Sequence, residues 1–168
     1  MLLNSRIANN LVTIKEYIEA KTIYIYVSKE NEIDTLGLIE DALKSGKKVA
    51  VPKCISKTKM QFYYIDSLSQ LEVGHFGVLE PCENLLVAEG TDTSFMVVPS
   101  LAVDMFGYRA GYGKGFYDRY LHNNPMPTAV LCYHKQLYFK ILHNRFDYKC
   151  NYIITEKETI KRKGINNG

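Results

Sequence analysis

The sequence lacks any close pair of cysteines. Its cysteines stand far apart, without the C-x-x-C spacing of a zinc site or a redox motif. A chain of 168 residues can bury a sufficient hydrophobic core without the disulfides that small secreted domains need. We therefore expect reduced cysteines with mostly structural roles at Cys54, Cys82, Cys132 and Cys150.

Long apolar runs are also missing. No stretch approaches the roughly 20 residues that span a bilayer. The first ten residues, MLLNSRIANN, lack the apolar centre of a secretory signal peptide. We therefore expect a cytoplasmic protein without a membrane partner.

The excess of one charge sign is small. Lys and Arg number 21 against 18 Asp and Glu, and this net charge of +3 does not indicate binding to nucleic acid or to a membrane surface. The length favours one domain. We place that domain at residues 1–160 and expect a frayed polar tail, KRKGINNG, at residues 161–168.

Helical and strand patterns alternate along the chain. Helices are predicted over residues 4–21 and 34–45, at Phe116–His122 and at Gln136–Leu142. Strands are predicted at Thr22–Val27, Lys48–Pro52, Met60–Ile65, Phe95–Pro99, Thr128–Tyr133 and Tyr152–Thr155. This alternation favours a single α/β domain, a three-layer α/β/α sandwich around a mostly parallel sheet.

A glycine-rich loop comes after the most apolar of these strands, Phe95–Pro99. In the segment GYRAGYGKGFYDRYL, Gly111, Gly113 and Gly115 occupy alternate positions. Without Cβ atoms, the backbone can take positive φ and bring its N–H groups close to a ligand. The next helix presents its positive end, and ligands of open parallel sheets bind beyond the carboxyl ends of strands. The loop therefore predicts a phosphate site.

Charged residues beside the loop strengthen this interpretation. Arg109 and Lys114 supply positive charge for a polyphosphate, and Asp118 has the right sign to hold a magnesium ion that bridges phosphates. The loop is not a Walker A motif, because Gly115 stands where that motif needs Ser or Thr, and it lacks the G-x-G-x-x-G spacing of dinucleotide-binding folds. From the glycines alone, a tight turn without a ligand is an equal alternative.

These residues resemble the signature of the 5-formyltetrahydrofolate cyclo-ligase family, also called 5,10-methenyltetrahydrofolate synthetase. The segment VVPSLAVDMFGYRAGYGKGFYDRYL is similar to the family pattern V-P-G-L-A-F-D followed by G-x-R-L-G-x-G-x-G-Y-Y-D-R-[YF]-L. Further matches follow in the family's order, and the resemblance extends from about residue 5 to residue 156: NEIDT, GKKVAVPK, FGVLEP and FDYKCNYIITE.

The resemblance implies an α/β/α fold and an activity. Members of this family use ATP and Mg²⁺ to close 5-formyltetrahydrofolate to 5,10-methenyltetrahydrofolate, with release of ADP and phosphate. ATP is needed because a formamide oxygen is a poor leaving group, so the formyl oxygen first takes the γ-phosphoryl group. We therefore expect a monomeric ligase of one-carbon metabolism that accepts 5-formyltetrahydrofolate with or without a polyglutamate tail.

The resemblance also implies site residues. The ATP-binding segment is matched by Arg109, Ala110, Gly111, Tyr112, Gly113, Lys114, Gly115, Phe116 and Tyr117. Within it, Tyr112, Gly113, Lys114, Gly115 and Phe116 also match positions near the formyl-folate, and Arg109 and Lys114 are the expected catalytic residues. Asp118 and Asp147 match the two magnesium-binding aspartates. We expect loss of charge at Lys114 or Asp118 to abolish turnover and to leave the fold intact.

Asp34, in NEIDT, has two interpretations. It matches an acidic position that binds the pterin ring, where a carboxylate can accept paired hydrogen bonds from ring N–H groups. It also precedes TLGLIEDAL, so the residue alone predicts a helix N-cap. Both roles can coexist.

The sequence departs from the family pattern in places. Ser100, Val103, Ala110 and Phe116 replace the usual Gly, Phe, Leu and Tyr. No helix with the family's K-x-x-[LI]-R-like pattern, whose basic residues contact ATP, precedes NSRIANNL. From this we expect a start farther upstream, weaker ATP binding, or replacement of those charges by another group.

Other functions remain as alternatives. A folate- or nucleotide-binding protein without turnover would agree with the missing basic segment. A sugar-phosphate enzyme on a related scaffold would need neither ATP nor Mg²⁺. RNA binding has only the 13 Tyr and 7 Phe in its favour, and many of these lie in strand-like runs.

Overall fold

The computed structural model describes residues 2–74, 77–90 and 93–162. Its helices are α1 (Leu2–Leu11), α2 (Lys15–Glu19), α3 (Leu36–Lys44) and α4 (Phe116–Asn123). Its strands are β1 (Thr22–Ile25), β2 (Lys48–Cys54), β3 (Met60–Ile65), β4 (Leu71–Val73), β5 (Leu79–Pro81), β6 (Ser94–Val98), β7 (Ala102–Asp104), β8 (Arg109–Ala110), β9 (Thr128–Leu131), β10 (Leu137–Tyr138), β11 (Tyr152–Ile154) and β12 (Thr159–Lys161).

A seven-stranded sheet forms the centre of the molecule, in the order β12-β11-β9-β6-β1-β2-β3. The pairs from β11 to β2 are parallel, and the pairs at both edges, β11 with β12 and β2 with β3, are antiparallel. Every residue of β6 is buried, as expected for a central strand that is covered on both faces. The predicted mostly parallel sheet is confirmed.

Apolar side chains pack on both faces of this sheet. On one face, Ile7 of α1 and Ile39 of α3 pack in one cluster with Phe95 of β6. On the other face, Leu121 of α4 packs in a second cluster with Met96, the next residue of β6. Because neighbouring residues of a strand point to opposite faces, the two clusters form two helical layers around one sheet. The single-domain, three-layer α/β/α prediction is therefore confirmed.

The predicted first helix is broken in the structure. The chain leaves α1 after Leu11, and Ile14 takes an extended conformation before α2 begins. The Thr13 hydroxyl donates to the Asn10 carbonyl, a local bond that competes with continuation of the helix. The break changes which side chains face the core, so Ile14 is buried whereas Ile18, one turn later, is 58% exposed.

The predicted helix at Gln136–Leu142 is wrong. A short 3₁₀ turn at His134–Gln136 leads into β10, which pairs with β7 in a three-stranded sheet, β10-β7-β8. Hydrogen bonds to other segments use the backbone groups that would otherwise bond within a helix. The Tyr138 carbonyl accepts from Met105 N–H, and the Ile141 N–H donates to the buried carboxylate of Asp104.

Two predictions concern residues at or beyond the ends of the described ranges. Lys161, the first residue of the predicted tail, ends β12, whereas residues 163–168 and Phe76 of the FGVLEP match lie outside the described residues.

All four cysteines are free thiols. Across the described ranges, no helix is long and apolar enough to cross a membrane.

Candidate active site

The glycine loop, residues 111–115, connects β8 to α4. A hairpin of β7 and β8 separates it from β6, so the loop does not follow the central strand directly as the sequence suggested. Gly113 has a φ of +83°, and a Cβ placed there would meet no atom within 4 Å. Its conformation therefore needs glycine, and its surroundings are open to a ligand.

The other two glycines make room for arginines. A Cβ at Gly111 would lie 2.8 Å from Nη1 of Arg109, and a Cβ at Gly115 would lie 3.0 Å from Nη1 of Arg119. Part of the glycine pattern thus reflects packing between the loop and protein side chains. The sequence alone left ligand approach and a tight turn as equal alternatives for these glycines and did not predict the packing against arginines.

The loop presents backbone donors at the start of a helix. The N–H groups of Gly113, Lys114 and Gly115 have no acceptor among the described residues. Gly115, with a φ of +67°, leads directly into α4, whose positive end lies beside these groups. This arrangement of N–H groups can bind an anion such as phosphate.

Arg109 and Asp118 form an ion pair behind the loop. Arg109 Nη2 lies 3.3 Å from Asp118 Oδ1, and the two side chains are 7% and 20% exposed. The guanidinium also lies 5.3 Å from the ring centroid of Tyr117 and within 3.5 Å of the Pro99 carbonyl oxygen. Its Nε is buried and has no acceptor among the described residues. The contacts of Arg109 therefore serve mainly to hold Asp118.

Asp147 lies on a segment that bonds to Asp118. The N–H of Tyr148, its neighbour, donates to Asp118 Oδ1 at 3.1 Å, and Asp147 Oδ2 accepts from the Asn144 N–H at 2.8 Å. The structure thus brings the two predicted metal-binding segments together. Within the described ranges, no group of three or more His, Cys, Asp or Glu side chains could hold a metal ion alone.

The carboxylates of Asp118 and Asp147 fit a magnesium ion that has few protein ligands. Mg²⁺ commonly takes one or two protein carboxylates and completes its shell with water and substrate phosphates. Asp118 Oδ2 and Asp147 Oδ1 have no hydrogen-bond partner among the described residues. The site therefore fits an ion held largely by a nucleotide and does not fit a metal site made of protein alone.

Lys114 is exposed and lies on the loop itself. Burial raises the pKa of the Cys54 thiol at the end of β2, whereas the charges of Lys114 and Lys29 lower it, which places the three side chains in one region. Lys29 Nζ also lies 4.5 Å from the ring centroid of Tyr112. The loop after β1 therefore contacts the glycine loop directly.

A cleft opens beside this contact. Its volume is about 10 Å³, room for about one water molecule, and it lies beyond the carboxyl ends of β1, β6 and β9. Its lining comprises Tyr26, Asn31, Glu32, Ile33, Ser100, Leu131, Tyr133 and Gln136. The exposed part of this lining is mostly polar, and Glu32 is its one acidic residue.

Glu32 has an unusual environment in this cleft. Burial raises the pKa of its carboxyl group, although the Lys29 N–H and the Lys29 charge lower it. Its charge also contributes, after burial, to the raised pKa of Tyr112. The carboxylate therefore lies near the glycine loop and binds a proton more readily than an exposed glutamate does.

Comparison with known proteins decides the family. The model of the 5-formyltetrahydrofolate cyclo-ligase family matches residues 3–156. The chain belongs to that family. The 5-formyltetrahydrofolate cyclo-ligase of Escherichia coli K12 is 31% identical over 121 residues, which cover 69% of this chain. A Schizosaccharomyces pombe protein named "Probable 5-formyltetrahydrofolate cyclo-ligase" is 32% identical over 119 residues, or 68% of this chain.

The matched regions leave part of these cyclo-ligases uncovered. They span 65% of the E. coli protein and 58% of the S. pombe protein. The solved structure of Aquifex aeolicus 5,10-methenyltetrahydrofolate synthetase has a TM-score of 0.82 and 27% identity, and it covers 98% of this chain and 87% of that one. The fold of this cyclo-ligase family member thus agrees with a solved structure over nearly its whole length.

The two acids of NEIDT take different places in this family member. Asp34 is exposed, and its Oδ1 accepts from the Leu36 N–H at 2.9 Å and from the Ser28 hydroxyl at 3.3 Å. Asp34 thus forms a side-chain turn one residue before Thr35, which is the N-cap of α3, so the predicted N-cap at Asp34 is wrong by one residue. Glu32 is the acid that lines the cleft.

Sequence reasoning missed Glu32, Lys29 and Tyr133. The signal for Glu32 was present, because it lies two residues before Asp34 in the same motif. Tyr133 lines the cleft and donates to Asn4 Oδ1 of α1 at 2.6 Å, a contact across 129 residues that no local pattern predicts.

Proposed function

We propose that this protein catalyses the ATP- and Mg²⁺-dependent cyclisation of 5-formyltetrahydrofolate to 5,10-methenyltetrahydrofolate. The observation that carries the proposal is the contact between Lys29 and Tyr112. This contact brings the glycine loop, which can bind phosphate, next to the cleft that Glu32 lines. A nucleotide and a folate bound in these places would meet at the glycine loop. The names of the relatives agree with this reaction.

The loop supplies the groups that phosphoryl transfer needs. The N–H groups of Gly113, Lys114 and Gly115 can bind phosphate oxygens, and the Lys114 ammonium can neutralise charge that develops during transfer. The exposed Lys114 side chain can move toward the nucleotide. We assign the catalytic cation to Lys114 and assign to Arg109 the task of holding Asp118.

Asp118 and Asp147 would hold the magnesium ion. When bound, this ion would neutralise charge on the phosphates. Arg109 fixes Asp118 through Oδ1 and leaves Oδ2 for the ion, and the Asn144 N–H fixes Asp147 in the same way through its Oδ2. Both carboxylates are thus oriented before a ligand arrives, which lowers the entropic cost of binding.

Glu32 would bind the pterin ring. A carboxylate accepts paired hydrogen bonds from adjacent ring N–H groups, and the partly buried position strengthens them. Tyr133, which is partly exposed, lines the same cleft and can contact the flat ring system. We therefore transfer to Glu32 the pterin-binding role that the sequence suggested for Asp34.

The reaction balances without another reactant. The formyl oxygen attacks the γ-phosphorus of ATP, and ADP leaves. The neighbouring folate nitrogen then attacks the formyl carbon, the bond from that carbon to the phosphorylated oxygen breaks, and phosphate departs with this oxygen. The attacking nitrogen loses its proton. The protein contributes by holding the two reactants in position and by supplying fixed charge.

Absorbance at the methenyltetrahydrofolate band tests the proposal. Purified protein with 5-formyltetrahydrofolate, Mg²⁺ and ATP should form product, and omission of ATP or Mg²⁺ should prevent it. Folate binding by calorimetry without ATP-dependent product would instead indicate the binding protein without turnover. Turnover of a sugar phosphate without nucleotide would favour the sugar-phosphate enzyme.

Glu32→Gln should separate substrate binding from stability. We expect the KM for 5-formyltetrahydrofolate to rise about tenfold, because charge-assisted hydrogen bonds are lost. Burial raises the pKa of Glu32, so the ionised form is disfavoured in the fold. Its cost to stability is present at neutral pH and disappears as the pH falls through the raised pKa. The denaturation midpoint of the variant should therefore equal or exceed that of the wild type.

The pH dependence gives a second measurement for Glu32. In the wild type, substrate affinity should decrease as the pH falls through a pKa above the ordinary glutamate value of 4.5. Glu32→Gln should lose this dependence, and Glu30→Gln, at an exposed neighbouring position, should keep it. An unchanged KM in Glu32→Gln would remove Glu32 from the binding site.

A further inference from the structure

Arg119 joins three segments at the edge of the site. It lies on α4, and its Nε donates to the Thr58 carbonyl at 2.9 Å, in the turn between β2 and β3. Its Nη2 donates to the Lys114 carbonyl of the glycine loop at 2.7 Å. We propose that Arg119 is a positioning residue that fixes the glycine loop for ATP binding. This inference rests on the proposed nucleotide role of the loop.

The bond to Lys114 sets the direction of a phosphate-binding group. A peptide unit is planar and trans, so its C=O and the following N–H point in opposite directions. Because Arg119 holds the Lys114 carbonyl, the Gly115 N–H points away from the guanidinium. That N–H is one of those without an acceptor among the described residues. Arg119 thus orients a ligand donor without touching the ligand.

The turn that Arg119 uses as its second anchor is itself well bonded. The Ile55 N–H donates to the Lys59 carbonyl at 2.9 Å, and the Lys59 N–H donates to the Ser56 hydroxyl at 3.1 Å. The glycine loop takes positive φ at Gly113 and Gly115, where glycine allows more backbone conformations than other residues do. Arg119 therefore connects the glycine loop to a well-bonded turn.

The geometry requires arginine. Its planar guanidinium presents several N–H donors in a fixed fork, so one side chain can reach two carbonyls in different directions. A lysine at this position would have a single ammonium on a flexible stem and would hold the two carbonyls less firmly. Gly115 gives the guanidinium room, since a Cβ there would lie 3.0 Å from Nη1.

The contact is exposed, so it should contribute little to global stability. Its expected effect is on the loop. In the ligand-free protein, Arg119→Ala should lower the backbone ¹⁵N order parameters of Gly113 and Gly115, and Arg119→Lys should lower them less. Asn123→Ala is the matched control, because among the described residues the Asn123 amide bonds only to the Arg119 carbonyl, one turn earlier in the same helix.

Calorimetric ATP binding, with Mg²⁺ present, supplies the functional measurement. The dissociation constant for ATP should rise about tenfold in Arg119→Ala, rise less in Arg119→Lys, and stay unchanged in Asn123→Ala. Folate affinity should not change in Asn123→Ala. These measurements need no turnover, so an inactive wild-type protein would contradict the proposed reaction and leave this test intact.

Two results would overturn the inference. Weaker ATP binding with unchanged order parameters would mean that Arg119 contacts the nucleotide directly. A more mobile loop with unchanged ATP affinity would mean that the order of the loop does not govern nucleotide binding.

Discussion

Asp118→Asn is expected to abolish ATP-dependent turnover and to destabilise the fold by about 3 kcal/mol. Removal of one partner from a buried ion pair leaves an uncompensated charge and typically costs 3–5 kcal/mol, and we take the lower end because Asp118 is 20% exposed. Its partner Arg109, at 7% exposure, would remain buried as a cation. The same change removes a proposed magnesium ligand. Urea unfolding and the absorbance assay measure the two effects separately.

Asp41→Asn is the control for this prediction. Asp41 is exposed on α3, so the same chemical change there should alter neither stability nor turnover. The sequence alone led us to expect that loss of charge at Asp118 leaves the fold intact. The ion pair with Arg109 changes that expectation. A variant as stable and as active as the wild type would show that the pair and the metal role are both wrong.

Lys114→Met should lower kcat/KM by a factor of about 100 or more, comparable to the loss of one donor that stabilises developing charge. Unlike Asp118, Lys114 is exposed, and its side chain has no recorded bond in the described structure. The thermal midpoint should therefore not change. Steady-state kinetics and calorimetric unfolding provide these two values.

Lys15→Met controls for the loss of a surface cation. Lys15 forms an exposed pair with Glu19, and such pairs contribute little. It should retain full activity. Near-normal turnover in Lys114→Met would assign the charge neutralisation to another group. Lys29 would be the next residue to change, because its charge and that of Lys114 both lie near Cys54.

Much of the fold was predictable because its information is local. Strand β3 has the predicted bounds, and β6 reads as a continuous apolar run because both of its faces are buried. The glycine loop was predictable for the same reason, since positive φ at Gly113 and Gly115 needs residues that the sequence shows directly.

The features of the site that the sequence did not predict depend on contacts between segments that are distant in sequence. Which acid of NEIDT faces the cleft is set by reciprocal bonds between Ser28 and Thr35: each backbone N–H donates to the other's hydroxyl at 3.0 Å. The buried Thr35 hydroxyl also donates to the Tyr26 carbonyl at 2.6 Å. These bonds fold the loop so that Asp34 lies just before the N-cap of α3 and Glu32 lines the cleft. The spacing of residues in the motif does not indicate these hydrogen bonds.

The contacts of Arg109 and Arg119 could not be predicted for the same reason. Arg109 matches an ATP-binding position, yet its recorded contacts are with Asp118, Pro99 and Tyr117. Arg119 reaches Thr58 across 61 residues. Each side chain acts on a segment that only the folded structure brings near.

Transfer of the formyl oxygen tests the central claim most directly. The protein would be incubated with ATP, Mg²⁺ and 5-formyltetrahydrofolate that carries ¹⁸O in the formyl group, and the released phosphate would be analysed by mass spectrometry. The account predicts that each phosphate released with methenyltetrahydrofolate carries one ¹⁸O atom. Unlabelled phosphate would contradict phosphorylation of the formyl oxygen, and the absence of any ATP-dependent product would contradict the proposed activity itself.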